Sequence, residues 1–160
     1  MFAEHGPHRC TVLVIDDDAE VRNLLSVALT ADGYHVDAVG NGREALHHLR
    51  SHAETCIILL DLVLPVMDGL QFRTAQLRDR SLAWIPIVVM SDAAEGRRLA
   101  FEIGARRLVR KPLDLEDVRR ALRHIGCCRT RPRPPWDESA SLDETHEDRP
   151  ALSGPADGRP

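Results

Sequence analysis

Five short apolar runs alternate along the chain with segments in which apolar residues recur at helical spacing. The runs cover residues 11–15, 34–39, 56–60, 86–90 and 107–111. Residues 19–31, between the first two runs, carry apolar side chains at i, i+3, i+4, i+7 and i+8, which is typical of an amphipathic helix. The pattern predicts five strands and five helices in strict alternation.

Polar residues mark where the predicted helices start. Asp18, Asn41 and Asp114 each precede a helical segment and can cap its first turn. Gly33 fits just past the end of the first helix, where a left-handed residue is common. The helix expected after Gly69 has the weakest apolar periodicity of the five. The sequence therefore predicts the order of the elements clearly, but it does not show clearly which face of the third helix is buried.

The central runs are apolar at both odd and even positions. This is expected for strands that are buried on both faces of a parallel sheet. Alternation of strands and helices implies an α/β layer fold with right-handed crossovers. Five such units in roughly 120 residues fit a flavodoxin-like doubly wound sheet, five-stranded and parallel, with helices on both faces.

The composition changes after Gly126 to a proline-rich stretch of mixed charge. We therefore expect an N-terminal extension over residues 1–9, one folded domain over residues 10–126 and a disordered tail over residues 127–160. The formal net charge of −4 gives no overall attraction to nucleic acid or to an anionic membrane. No run approaches the ~20 apolar residues of a membrane span, and no signal-peptide pattern is present, so we expect a cytoplasmic protein.

Polar or charged residues stand at the ends of four predicted strands. They are Asp16-Asp17, Asp61, Ser91 and Lys111. Each alone is an ordinary turn, cap or surface residue, but chemistry in open parallel sheets gathers outside the carboxyl ends of the strands. Three converging carboxylates repel one another, and Mg²⁺ relieves that repulsion. With the ammonium and the hydroxyl, the set predicts a phosphoryl-transfer site in which Asp61 is the nucleophile.

The sequence resembles the receiver domain of bacterial two-component response regulators, of the single-domain, chemotaxis-regulator-like kind. The likeness rests on "VLVIDDDAEVRNLL", "LLDLVLPVMDGL", "PIVVMS" and "RKPL", and it covers residues 10–126. It implies the strand order 2-1-3-4-5 and Asp61 as phosphoacceptor. It further implies direct Mg²⁺ ligation by Asp17, by Asp61 and by the backbone carbonyl of Val63, with Asp16 acting through water.

The same resemblance assigns the remaining roles. Ser91 would take a phosphoryl oxygen, Lys111 would pair with Asp61 or its phosphate, and Lys111-Pro112 is expected to be a cis peptide. A sensor histidine kinase or phosphotransfer protein would donate the phosphoryl group. The chain would then be a signalling domain that catalyses only its own phosphorylation and dephosphorylation. Its output would pass to a downstream protein target or a second copy, with no direct binding of DNA or membrane.

Two positions depart from the family pattern. Leu108 stands where receivers often carry an aromatic switch residue, and Asp92 follows the switch hydroxyl where a small residue is usual. We interpret Asp92 as an N-cap of a helix expected over residues 94–103, with repulsion of phosphate as the alternative. Val63 and Ala93, beside the site, cannot orient an attacking water, so we expect a phosphorylated state that lasts minutes or longer.

Arginines are concentrated in the last third of the predicted domain. The set is Arg97, Arg98, Arg106, Arg107, Arg110, Arg119, Arg120 and Arg123. We interpret them as a solvated face, with a surface for an acidic partner or a second copy as the functional alternative. Nucleic acid is disfavoured because no aromatic residues interleave the arginines.

Two other functions stay open. A haloacid-dehalogenase-type phosphatase also uses an Asp nucleophile, but Glu20 occupies the place where that pattern needs Thr or Val. A receiver-type module could also bind partners without being phosphorylated.

Overall fold

The computed structural model describes residues 10–92 and 94–126. The predicted N-terminal extension, the predicted tail and Ala93 lie outside the described residues. Within this part, strands and helices alternate as β1 (Thr11–Ile15), α1 (Ala19–Ala31), β2 (His35–Val39), α2 (Gly42–Ser51), β3 (Thr55–Asp61), α3 (Gly69–Arg78), β4 (Ile87–Ser91), α4 (Gly96–Glu102), β5 (Arg107–Arg110) and α5 (Leu115–Ile125).

The strands form one parallel sheet in the order β2-β1-β3-β4-β5. Every residue of β1, β3 and β4 is buried, whereas β2 and β5 lie at the edges and are partly exposed. This confirms the flavodoxin-like fold and the interpretation of the central runs, since helices cover both faces of the inner strands.

Two apolar cores lie on opposite faces of the sheet. One packs α2, α3 and α4 around Leu13, Leu60 and Phe72. The other packs α1 and α5 around Val14, Leu59 and other β-strand side chains. Among the described helices, none combines the length and apolarity that a bilayer span requires.

The predicted caps form, with differences at some boundaries. The side chains of Asp18, Asn41 and Asp114 accept backbone N–H groups in the first turns of α1, α2 and α5. Gly33 follows α1 with φ +95°. Helix α4 begins at Gly96 rather than at residue 94, so the boundary predicted there is wrong.

The inner face of α3 explains its weak apolar pattern. Its buried residues are Gly69, Phe72 and Gln76, which share one face of the helix. The Gln76 amide donates to the carbonyls of Leu82 and Ile85 at 3.0 and 3.2 Å. A polar residue thus occupies a core position because its hydrogen bonds are made inside the protein.

Candidate functional site

Five of the predicted site residues lie together at the carboxyl edge of the sheet. Asp16 and Asp17 follow β1 directly, Asp61 and Ser91 are the last residues of β3 and β4, and Lys111 is the first residue after β5. These strands run parallel, in the order β1-β3-β4-β5 across this part of the sheet. The fold therefore delivers side chains that are far apart in sequence to a single edge.

The Lys111 ammonium joins two of the carboxylates. Its Nζ donates to Asp16 Oδ2 at 2.8 Å and to Asp61 Oδ2 at 2.9 Å. The Asp16 side chain has no exposed surface, and that of Asp61 is 9% exposed. Charge-assisted hydrogen bonds in such a place are strong, so Lys111 holds the two carboxylates side by side.

Backbone N–H groups engage the remaining oxygens of these two carboxylates. The N–H of Asp18 donates to Asp16 Oδ1 at 2.9 Å, and the N–H of Val63 donates to Asp61 Oδ1 at 3.0 Å. Each carboxylate is thus held from one side by the backbone and from the other by Lys111. The orientation of Asp61 depends on the loop that follows it as well as on the lysine.

Burial and charge act on the pKa values of this pair in opposite directions. Burial raises the pKa of Asp61, and the nearby Asp16 adds to that rise, although hydrogen bonds from Lys111 and Val63 reduce it. For Lys111, burial works to lower the pKa, but the hydrogen bonds and attraction to Asp16 and Asp61 outweigh burial and leave the pKa raised. Lys111 therefore stays an ammonium at neutral pH.

The donor set suits a hard divalent cation. Oxygen atoms of Asp16, Asp17 and Asp61 all lie within 4.8 Å of one another, and Asp17 is exposed to solvent. Three carboxylates and one ammonium leave two negative charges in excess. Oxygen ligands with an excess of negative charge and an open, hydrated side are what Mg²⁺ prefers, so these residues fit the predicted ion.

The apolar loop after Asp61 is shaped by its backbone. The N–H of Gly69 donates to the Leu62 carbonyl at 3.0 Å, and the N–H of Gly42 donates to the Met67 carbonyl at 3.0 Å. A γ-turn centred on Val66 has φ +66°, a conformation that is rare and strained for valine. Since backbone groups fix this loop, its side chains need not be polar.

Glycine is required where this loop meets α3. A Cβ at Gly69 would lie 2.8 Å from the Leu62 Cα and 2.9 Å from the Asp61 carbonyl oxygen. Asp68 caps α3 through a reciprocal pair of hydrogen bonds with Gln71. The first turn of α3 therefore touches the backbone of the residue that carries the central carboxylate.

Ser91 is buried against the first turn of α4. The Ser91 Cβ lies 2.6 Å from where a Cβ at Gly96 would be, and Ser91 Oγ also occupies that space. Asp92 does not cap the helix, because the N-cap position is held by Glu95, which makes no side-chain capping bond. The interpretation of Asp92 as an N-cap is therefore wrong, and Asp92 is an exposed acid next to the site.

Other predicted features lie around the site. The Lys111-Pro112 peptide is cis, as predicted. Leu108 is partly buried and packs against the core that contains α4. Val63 is 74% exposed, and its N–H contacts Asp61. No sequence pattern pointed to Arg22, whose Nη1 donates to the Asp16 carbonyl at 2.7 Å.

A doubly wound sheet with this acidic cluster and lysine at its carboxyl edge defines a receiver-type signalling domain. Residues 12–123 match the response regulator receiver domain. The chain belongs to this family, the receiver domains of two-component systems.

Individual relatives agree with the family. The chain is 31% identical over 151 residues to the transcriptional regulatory protein TcrA of Mycobacterium tuberculosis, covering 89% of this chain and 58% of TcrA. It is 31% identical over 117 residues to the alkaline phosphatase synthesis transcriptional regulatory protein SphR of Synechococcus elongatus, covering 67% of this chain and 45% of SphR.

A solved structure shows the same fold. The chemotaxis response regulator CheY4 of Vibrio cholerae superposes with a TM-score of 0.65 at 28% identity, covering 71% of this chain and 99% of CheY4. The chain thus matches almost all of CheY4 but spans only about half the length of the two transcriptional regulators.

Proposed function

We propose that this chain accepts a phosphoryl group on Asp61 from a phosphohistidine of a sensor histidine kinase or a phosphotransfer protein. The observation that carries the proposal is the Lys111 ammonium, which lies 2.8 and 2.9 Å from the carboxylates of Asp16 and Asp61. An ammonium already placed beside the nucleophile can stabilise the charge that develops during transfer without reorganisation.

The transfer exchanges one bond for another. An oxygen of the Asp61 carboxylate attacks phosphorus, the new O–P bond forms, and the P–N bond of phosphohistidine breaks with its electron pair left on the imidazole. Lys111 offsets charge on the phosphoryl oxygens, and Ser91 donates its hydroxyl to one of them after transfer. Asp61 suits the nucleophile's role better than Asp16, since the Asp16 side chain has no exposed surface.

A divalent cation completes the proposed site. Asp17, Asp61 and the backbone carbonyl of Val63 would hold Mg²⁺ directly, with Asp16 acting through water. Bound there, Mg²⁺ would neutralise part of the negative charge of the phosphoryl group. The proximity of the three carboxylates supports this assignment.

The output of such a domain is a change in protein contacts. Phosphorylation would shift the population of conformations that differ around α4 and β5, and a downstream protein or a second copy would bind one of them preferentially. We expect this signalling to take place in the cytoplasm.

Intact-mass spectrometry of the full chain tests the proposal. With Mg²⁺ and acetyl phosphate, we expect the wild type to gain the mass of one phosphoryl group, and Asp61→Asn to gain none. Asp68→Asn is the matched control, because it makes the same change in the same loop and asparagine also caps helices well. EDTA should abolish the labelling of the wild type.

Other outcomes would favour the open alternatives. Steady release of phosphate from a phosphomonoester would favour a phosphatase. No labelling by acetyl phosphate or by any histidine kinase would leave a binding module that works without phosphorylation. Equal labelling of Asp61→Asn and wild type would place the acceptor at another residue.

A further inference from the structure

A groove of about 540 Å³ opens where α4, β5 and α5 meet. Its apolar surface includes Leu108 and Ala121, and three of its arginines are Arg97 from α4 and Arg107 and Arg110 from β5. Arg120 and Asp117 of α5 also line it, and these two pair with each other at 3.0 Å. β5 is an edge strand, and arginines on an edge strand can serve simply to prevent pairing with other strands. That role does not account for Arg97, which belongs to α4 and not to the edge strand.

The three arginines have no carboxylate partner among the described residues. Within the described part of the chain, no Asp or Glu lies within ion-pair distance of Arg97, Arg107 or Arg110. The neighbouring arginines are paired: Arg98 contacts Glu102 at 2.9 Å, and Arg123 contacts a glutamate at 2.6 Å. Guanidinium groups that line one groove together with apolar side chains fit a ligand with carboxylates and apolar side chains.

The chain itself contains such a ligand. The acidic segment, residues 136–148, includes Trp136 and Leu142 and has no Lys or Arg. Its carboxylates are those of Asp137, Glu138, Asp143, Glu144, Glu147 and Asp148. Residues 127–135 instead carry three arginines, which the arginines of the groove repel. Charge therefore favours the acidic segment as the part of the chain that binds in the groove.

The connection is long enough for this segment to reach the groove. His124, in the last turn of α5, already lines it, and α5 ends at Ile125. Asp137 comes twelve positions after Ile125, and an extended chain of that length spans up to about 40 Å. The whole of α5 is only about 16 Å long. A tether of this length gives an effective concentration on the order of 1 mM, so even a weak contact is populated.

We propose that the acidic segment docks in this groove within the same molecule, with its carboxylates against Arg97, Arg107 and Arg110. Docking requires no phosphorylation of Asp61. While it is docked, the segment closes the groove to acidic segments of other proteins.

A competition experiment with the full chain tests the proposal. The neutral-tail chain carries Asp137→Asn, Glu138→Gln, Asp143→Asn, Glu144→Gln, Glu147→Gln and Asp148→Asn. A fluorescein-labelled peptide of residues 136–148 is titrated by anisotropy at low salt against each protein. We expect the neutral-tail chain to bind the peptide about five-fold more tightly than wild type or better, since its groove has no competitor held at millimolar concentration.

A pair of adjacent arginines supplies the matched control. Arg97→Gln and Arg98→Gln, each made in the neutral-tail chain, remove the same charge from the same helix. Only Arg97 lines the groove. We expect Arg97→Gln to weaken peptide binding roughly two- to five-fold, the effect of one solvent-accessible ion pair, and Arg98→Gln to leave it unchanged.

Each contrary result would overturn the proposal. Equal peptide affinity in the wild type and the neutral-tail chain would show that the segment does not occupy the groove. Equal effects of Arg97→Gln and Arg98→Gln, or no peptide binding at all, would show that the groove is not the site. Sedimentation of the wild type as a dimer that the neutral-tail chain does not form would place the segment on a second copy.

Discussion

Replacing Lys111 with methionine tests whether its ammonium holds the site together. Methionine keeps most of the length of the side chain and removes the charge. Asp16 then keeps the N–H of Asp18 as a donor, and Asp61 keeps the N–H of Val63. Two nearly buried carboxylates would face each other with no cation between them, so we expect the folded state to lose stability.

The contacts set the size of this loss. Unit charges 4 Å apart attract by about 4 kcal/mol at an effective dielectric constant of ~20, and each Lys111 contact is of that order before desolvation is subtracted. Removing one partner of a buried ion pair typically costs about 3–5 kcal/mol. The Lys111 side chain is 20% exposed, and water there screens part of the interaction. We therefore expect a loss of about 2–4 kcal/mol in the free energy of unfolding.

Urea unfolding in EDTA at neutral pH measures this loss. The control is Arg119→Gln, which removes a surface ion pair to Asp32 at 2.7 Å. Surface pairs contribute about 0–1 kcal/mol, so the control should change little. A loss for Lys111→Met no greater than that of the control would refute the view that the ammonium stabilises the carboxylate pair.

Repeating the unfolding measurement with Mg²⁺ tests whether the carboxylates that Lys111 contacts also bind the ion. If Mg²⁺ binds the same carboxylates, it supplies the positive charge that Lys111→Met removes, and binding to the folded state adds to stability. We expect the loss to shrink when EDTA is replaced by saturating Mg²⁺. A loss of equal size in both conditions would contradict the proposed magnesium site.

Three further predictions concern neighbouring positions. Gly69→Ala should lower the free energy of unfolding by about 1–3 kcal/mol, because its Cβ would meet the Asp61 carbonyl oxygen at 2.9 Å. Gly40→Ala, whose Cβ meets nothing closer than 3.7 Å, should be neutral, and similar urea midpoints for both would count against the clash. The only lysine in the chain is Lys111, so ¹⁵N-lysine labelling gives one ammonium signal. The Lys111 ammonium should titrate with a pKa above the ordinary value of 10.5. The stability that the ammonium gives to the folded state is therefore lost only as the pH rises through that raised pKa. A titration midpoint at or below 10.5 would contradict this prediction. Asp92→Ala should speed labelling by acetyl phosphate roughly two- to five-fold, because it removes an exposed like charge, and an unchanged rate would exclude that role.

Much of the site could be predicted from the sequence, because each of its residues is marked by its immediate neighbours along the chain. Asp16, Asp61 and Ser91 each stand where an apolar run ends, and a parallel sheet brings such ends to one edge. Once the strand order is known, the topology of the sheet is enough to predict that these side chains lie close together. Their roles in chemistry still rest on the proposed labelling experiment.

Features that depend on packing between distant segments could not be predicted. Asp92 has the right chemistry for a helix cap, but α4 starts at Gly96, where the side chain of Ser91 leaves no room for a Cβ. In α3, Gln76 breaks the apolar pattern because its partners, the carbonyls of Leu82 and Ile85, lie beyond the helix. A pattern of apolar and polar residues cannot show which polar groups find partners inside the core.

The contact between Ser91 and Gly96 links the site to the groove. Ser91 fills the space beside Gly96, and the next residue, Arg97, lines the groove. If a phosphoryl group on Asp61 draws the Ser91 hydroxyl towards it, the first turn of α4 loses the group it packs against, and Arg97 moves with that turn. Coupling of this kind is reciprocal, so docking of the acidic segment would in turn change the affinity of the site for a phosphoryl analogue. Equal affinities for beryllofluoride in the wild type and the neutral-tail chain would show that the two sites are independent.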